Sequence, residues 1–207
     1  MAAPVRLDHG VTSGTFSLDG QTFEVDNNVW VIGDDQQCVV IDAPHSVPGI
    51  MEVVAGRTVT AILLTHAHDD HVRVAPELSR ETGAPLYLHP AEEPLWKLTH
   101  PDLPMPRPLA DGQEIAGLTV LHTPGHSPGA VSLHAPDLGA VFTGDTLFAG
   151  GPGATGRSFS DFGTIVASIR SRLLVLPPET VVHTGHGDDT SIGAEAPHLQ
   201  EWIDRGH

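Results

Sequence analysis

Thr65-His66-Ala67-His68-Asp69-Asp70-His71 places three imidazoles and two carboxylates within six residues. The apolar run Val59-Thr60-Ala61-Ile62-Leu63-Leu64 comes directly before it. That run is rich in β-branched and aliphatic residues and is bounded by Gly56, so it reads as a buried strand. The polar cluster therefore stands where a core strand leaves its sheet, which is where α/β proteins build sites on a rigid support. His66 and His68 are two apart and can point the same way from an extended turn. Asp70 and His71 follow at once and can face a second point a few ångströms away. Imidazole nitrogen with carboxylate oxygen is a donor set that suits zinc, iron or manganese. The competing reading, a solvated polar loop that happens to contain histidines, does not account for this density of donors behind a core strand.

Three later segments repeat the form, an apolar strand ending in a glycine-flanked donor: Leu121-His122-Thr123-Pro124-Gly125-His126, Val141-Phe142-Thr143-Gly144-Asp145 and Val181-Val182-His183-Thr184-Gly185-His186-Gly187. The ordered set HxHxDH, TPGH, TGD and GHG resembles the metallo-β-lactamase fold hydrolases, most nearly the glyoxalase II-like (hydroxyacylglutathione hydrolase-like) thioester hydrolases. The resemblance runs from about Asn28 to about Trp202. It implies an α/β fold, a four-layer α/β/β/α sandwich of two similar halves, formed by residues 1–207 as one domain.

The same resemblance implies two metal positions. His66, His68 and His126 would hold the first, Asp70, His71 and His186 the second, and Asp145 would bridge them. Two divalent ions, zinc with iron or manganese as alternatives, would lower the pKa of a shared water from ~15.7 towards ~7. The resulting hydroxide would attack the carbonyl carbon of a small-molecule thioester, with Asp70 orienting it, and a thiolate would leave. His122 and His183 read as packed or supporting histidines. Asp42, at the end of an earlier strand, reads equally as a turn carboxylate or as a group orienting a ligand histidine; in the family an aspartate there supports the metal site. The Ala43-Pro44-His45 that follows departs from the usual glycine-containing turn, and His45 reads as a plain loop histidine.

Relatives within the fold differ in ways the sequence addresses. Secreted metallo-β-lactamases carry a metal-binding cysteine and a signal peptide, whereas Cys38 lies on a strand far from the motifs. Diiron electron-transfer relatives place a glutamate where His68 stands. Full-length glyoxalase II enzymes add a C-terminal helical region that binds glutathione. Only about twenty residues follow His186, so no such domain is expected and another thiol, such as mycothiol, becomes a candidate. The alternative reading is a persulfide dioxygenase with one Fe(II) on His66, His126 and Asp145. A lactone or other ester hydrolase comes next, then a non-catalytic binding module.

Composition narrows the partners. The 10 Lys and Arg stand against 26 Asp and Glu, a formal charge of −16. Nucleic acid or an anionic membrane is not expected as a partner, since phosphate binding needs clustered cations. Cys38 is the single cysteine, so no internal disulfide forms and a reducing, cytoplasmic setting is expected. Met1-Ala2-Ala3-Pro4-Val5-Arg6 shows no basic leader before an apolar run, and no segment reaches the ~18 apolar residues of a membrane helix. Oligomeric state leaves no trace.

Along the chain, residues 5–25 predict a β-hairpin turning at Asp19-Gly20. Asn28 to Ile32 and Cys38 to Ile41 predict a second strand pair. Helices are expected at residues 46–55, from Val72 to Gly83, after Ser160 as N-cap, and at 194–203. Pro85 to His89 reads as a buried strand, with His89 and His100 structural. The connection 90–112, with Pro90, Pro94, Pro101, Pro104, Pro106 and Pro108, reads as a long loop over the site. The glycine-rich stretch from Thr146 to Arg157 lacks the lysine of a phosphate loop. It reads as a flexible lip, with Arg157 paired either to substrate or to a surface carboxylate.

Overall fold

The computed structural model describes residues 5–206, in two compact units that meet in sequence between Pro108 and Leu109. Met1 to Pro4, read above for leader signals, lie outside the described residues. No helix among the described residues is long and apolar enough to cross a membrane.

The first unit is built on one six-stranded sheet in sequential order. Strands β1 (Arg6–Leu18), β2 (Gln21–Gly33) and β3 (Gln37–Ile41) pair antiparallel. Strands β4 (Thr58–Leu63), β5 (Leu86–Leu88) and β6 (Arg107–Pro108) continue in parallel. The first turn is Asp19-Gly20, both at positive φ. The two expected strand pairs share one strand: β2 pairs with β1 along its whole length and with β3 only from Trp30 to Gly33. Its first half therefore runs beyond the carboxyl end of β3. Helix α1 (Val47–Val54) crosses from β3 to β4, capped by Ser46, whose Oγ accepts from the Gly49 amide at 3.1 Å. The donor motif itself ends in a short helix α2 (Asp69–Val72), and the helix expected from Val72 to Gly83 begins later, as α3 (Ala75–Thr82), which stops at the left-handed Gly83.

The region 90–112 differs from the loop expected of it. A 3-10 turn at Pro90–Glu92 leads into helix α4 (Glu93–Thr99). Pro90 and Pro94 occupy the first turns of these segments, where a missing N–H costs nothing, and Leu95 and Trp96 are buried against the core. Burial of one apolar face outweighs the proline content. Strand β5 is buried only at Leu88.

The second unit carries a six-stranded sheet of order β14-β13-β10-β9-β8-β7. Its strands are β7 (Glu114–Ile115), β8 (Leu118–His122), β9 (Val131–Ala135) and β10 (Ala140–Gly144), with a small separate ribbon of β11 (Leu147–Phe148) and β12 (Gly151–Pro152). Helix α5 (Phe162–Ser168) runs on through a π-helical turn to Leu173. Then come β13 (Val181–Thr184), β14 (Thr190–Ser191), α6 (Ile192–Glu195) and α7 (Leu199–Arg205). Ile165, Val166, Ile169 and Leu173 form the buried helical face that their spacing predicts, packed with Val141, Val182 and Trp202. The N-cap is Asp161, not Ser160: Asp161 Oδ1 accepts from the Thr164 amide at 2.7 Å. A hydrogen bond from the Thr164 side chain, with this amide bond beside it, holds the carboxyl below the usual aspartate range. Ser160 instead closes a local turn with the Arg157 backbone.

Candidate metal centre

Each unit brings its own share of the expected donors to the carboxyl edge of its sheet. In the first unit β3 and β4 are adjacent and parallel, so Asp42 and the loop after Leu64 emerge side by side. Asp42 adopts a left-handed backbone, φ 62°, a conformation aspartate tolerates better than most residues. Its carboxylate accepts three hydrogen bonds: from the Thr65 amide at 2.7 Å, from the Thr65 hydroxyl at 2.8 Å and from His71 Nδ1 at 2.8 Å. The role left open by the sequence is thereby decided. Asp42 organises the histidine loop.

These contacts also assign protons. A carboxylate only accepts, so His71 carries its proton on Nδ1 and presents a lone pair at Nε2. The Thr65 proton goes to Asp42, so its oxygen is the acceptor for His66 Nδ1 at 3.0 Å. His66 Nε2 is then a lone-pair nitrogen as well, and it lies 3.1 Å from His68 Nδ1. The His71 ring centroid is 4.1 Å from that of His66. Asp70 Oδ2 lies 3.6 Å from His71 Nε2. All four of these residues are buried.

The two neighbouring aspartates of the motif have different tasks. Asp70 turns inward, whereas Asp69 accepts from the Ser17 amide at 3.0 Å and pairs with Arg73 at 2.5 Å. Arg73 also donates to the Thr15 carbonyl. Asp69 thus ties the β1 hairpin arm to α2. Burial pushes its carboxyl up, against the downward pull of the Ser17 amide and Arg73.

In the second unit β8, β10 and β13 all point their carboxyl ends to the same edge. Asp145 Oδ2 lies 3.5 Å from His126 Nε2 and 3.5 Å from His186 Nε2. His126 Nδ1 donates to the Ala154 carbonyl at 2.9 Å, which again leaves Nε2 as the lone-pair nitrogen. Gly125 has φ 132°, and a Cβ there would overlap the Ile165 backbone. Glycine lets the first turn of α5 approach the loop, whose Gly125 carbonyl accepts from the Asp161 amide at 2.7 Å. The stretch expected as a flexible lip is pinned. The β11–β12 ribbon closes it, the Gly150 amide donates to both oxygens of the buried Glu195 at 3.1 Å, and the Gly153 amide donates to the Thr146 carbonyl.

The other histidines fall outside both shares, as their sequence context suggests. His122 Nε2 donates to the Pro128 carbonyl, His183 pairs with Asp189 at 2.9 Å and stacks on Phe142, and His100 Nε2 donates to the Val72 carbonyl. His45 is more than a loop histidine: its Nε2 lies 2.7 Å from Asn27 Oδ1, and Asn27 Nδ2 donates to Asp70 Oδ2 at 3.0 Å. Asn27 has no counterpart among the residues read from the sequence. Its only signal is a polar Asp26-Asn27-Asn28 run breaking an apolar strand. Glu92 was missed too. It is fully buried and accepts from the Ala67 amide at 2.7 Å, between His66 and His68. It lies in the proline-rich region, where nothing marks it as a supporting group.

The donor chemistry fits divalent metal. His66, His71 and His126 each commit Nδ1 elsewhere and present Nε2, the arrangement expected when a hydrogen bond fixes the tautomer of a ligating imidazole.

Comparison with known proteins agrees. Residues 23–186 match the family model described as the metallo-beta-lactamase superfamily. The chain is 35% identical over 186 residues to the probable metallo-hydrolase YqgX of Bacillus subtilis, covering 81% of this chain and 88% of that one. It is 33% identical over 168 residues to a hydroxyacylglutathione hydrolase of Fuscovulum blasticum, covering 78% of this chain and 62% of the relative. The crystal structure of TTHA1623 in a di-iron-bound form superposes with a TM-score of 0.76 at 37% identity, covering 89% of this chain and 96% of that one. The α/β fold read from the motifs is thus the fold found, and the chain belongs to the metallo-beta-lactamase superfamily.

Proposed function

We propose that the protein is a dinuclear metal-dependent hydrolase of small-molecule thioesters, active as a single domain in the cytoplasm. His66, His68 and His126 hold one ion, Asp70, His71 and His186 the other, and Asp145 serves both. The observation that carries the two-ion reading is Asp145 Oδ2, equidistant at 3.5 Å from Nε2 of His126 and Nε2 of His186. A single carboxylate oxygen between donors assigned to different ions is what a bridging role requires. The di-iron form of a 37% identical structure supports two ions and iron as well as zinc. The hydroxyacylglutathione hydrolase relative supports a thioester as substrate.

Bound ions would supply an activated water near neutral pH and polarise the carbonyl under attack. This chain's residues do the rest. Asp42 and Thr65 hold the imidazoles in the ligating tautomer, Glu92 fixes the amide between His66 and His68, and Asp70 orients the attacking hydroxide.

Elemental analysis with hydrolysis assays tests the reading. About two ions per chain, together with cleavage of S-lactoyl or S-formyl thiol esters, is the expected result. One iron per chain with oxygen uptake on a persulfide would replace it with a dioxygenase. Two ions with cleavage of lactones alone would keep the metal centre and overturn the thioester.

A further inference from the structure

Asn27 and His45 have no part in the ligand set, yet they stand directly behind it. Asn27 is 0% exposed and sits on the half of β2 that runs beyond the end of β3. Its Nδ2 lies 3.0 Å from Asp70 Oδ2 and 3.3 Å from His71 Nε2. The Asp70 carboxylate only accepts, so the amide's donor end must face it. The other end, Oδ1, meets His45 Nε2 at 2.7 Å. An amide oxygen cannot donate, so His45 carries its proton on Nε2.

The His45 ring is held in turn. A Cβ on Gly14 of β1 would fall on it, so the bare backbone of that strand lies against the ring. Ser46, the next residue, caps α1. Reversing the Asn27 amide would set its oxygen against the Asp70 carboxylate and its NH2 against the His45 N–H, losing two hydrogen bonds and adding two repulsions.

We propose that Asn27 is a positioning residue for the second metal position, its amide fixing the Asp70 carboxylate through Oδ2, and that His45 sets the direction of that amide. The proposal rests on the reading of Asp70 as a ligand. A carboxylate with one oxygen committed to an amide donor presents the other to a cation in one orientation. Groups that orient ligands in this way change metal affinity by about 10–100-fold when removed. The effect should be confined to the ion held by Asp70, His71 and His186.

The test is stepwise titration of zinc into metal-stripped protein against a chromophoric chelator, which reads the two affinities separately. Asn27→Ala is expected to weaken the second ion by about 10–100-fold and leave the first unchanged. His45→Leu is expected to lower the second affinity in the same direction, and His45→Gln, which keeps an N–H near the same place, to restore it. Wild-type affinities in Asn27→Ala overturn the proposal, as does an equal loss of both ions, which marks a general structural role. Should Asn27→Ala fail to fold, equal behaviour of His45→Leu and His45→Gln overturns the orienting relay by itself. Asp70→Ala separates the two levels. If it retains both ions, the ligand reading fails; if it loses the second ion while Asn27→Ala loses nothing, only this proposal fails.

Discussion

The two units supply donors in opposite ways. In the first, four donors lie within six consecutive residues after one strand, and their support is remote: Asp42 from β3, Asn27 from β2, Glu92 from the turn before α4. In the second, the three donors come from three strand ends spread between His126 and His186, and their support is main chain rather than side chain. His126 donates to a carbonyl, and Gly125 lets a helix approach. A dense motif needs outside groups to keep its crowded side chains in distinct tautomers and orientations. A dispersed set is already separated by the sheet and needs only close backbone packing. The first share should therefore break through its supporting side chains and the second through its ligands and glycines.

Asp145→Ala should give the largest effect, because it removes the carboxylate placed between two imidazoles. We expect loss of both ions and of activity, read by metal content per chain; full occupancy would show that the second share does not hinge on this residue. Asp42→Ala comes next. It leaves His71 Nδ1 and two Thr65 donors without their acceptor, and metal affinity should fall by about 10–100-fold. Each buried donor left unsatisfied should also cost about 1–3 kcal/mol of stability. A titration and a denaturation curve measure the two parts, and unaltered affinity would refute the dependence of the first share on remote support.

Gly125→Ala should cost about 1–3 kcal/mol through overpacking against Ile165, with strain from the positive φ added. A denaturant midpoint reads it, and a neutral result would show that the helix can retreat from the His126 loop. The smallest effect concerns His134 on β9, whose register partner on β10 is Val141 rather than a donor. Burial lowers its pKa, against a weaker opposing pull from Glu114. The folded protein therefore binds this proton less readily than the unfolded chain. The resulting stability is complete above the unfolded value of about 6.5 and is lost as pH falls through the lower folded value. His134→Gln should flatten that part of the stability–pH curve without changing metal content.

The segments of the second share stand out because each candidate donor follows an apolar strand beside glycine, and the first stands out by donor density; the ligand roles themselves are what the family resemblance implies. Helix positions followed where an apolar face repeats, as from Ile165 to Leu173. They failed where proline frequency was read as loop: Pro90 and Pro94 begin helical segments, and Leu95 and Trp96 decide the region by burial. Ser160 and Asp161 are both acceptable caps in sequence, and only the backbone conformation at Asp161 chose between them. The glycine-rich stretch looked mobile because composition does not reveal Glu195, which comes from beyond β13 to hold the Gly150 amide.

By itself the sequence determined the stretches where apolar strands end in residues able to bind metal, since strand periodicity and ligand chemistry are local properties, and its family resemblance gave the α/β class. Only the tertiary structure decided which imidazole nitrogen faces inward, which of Asp69 and Asp70 turns to the site, and that Asn27, His45, Asp42 and Glu92 support it. Those outcomes depend chiefly on hydrogen bonds between residues 18 to 52 positions apart, and no local pattern encodes which distant polar groups the packing of strands will bring into reach.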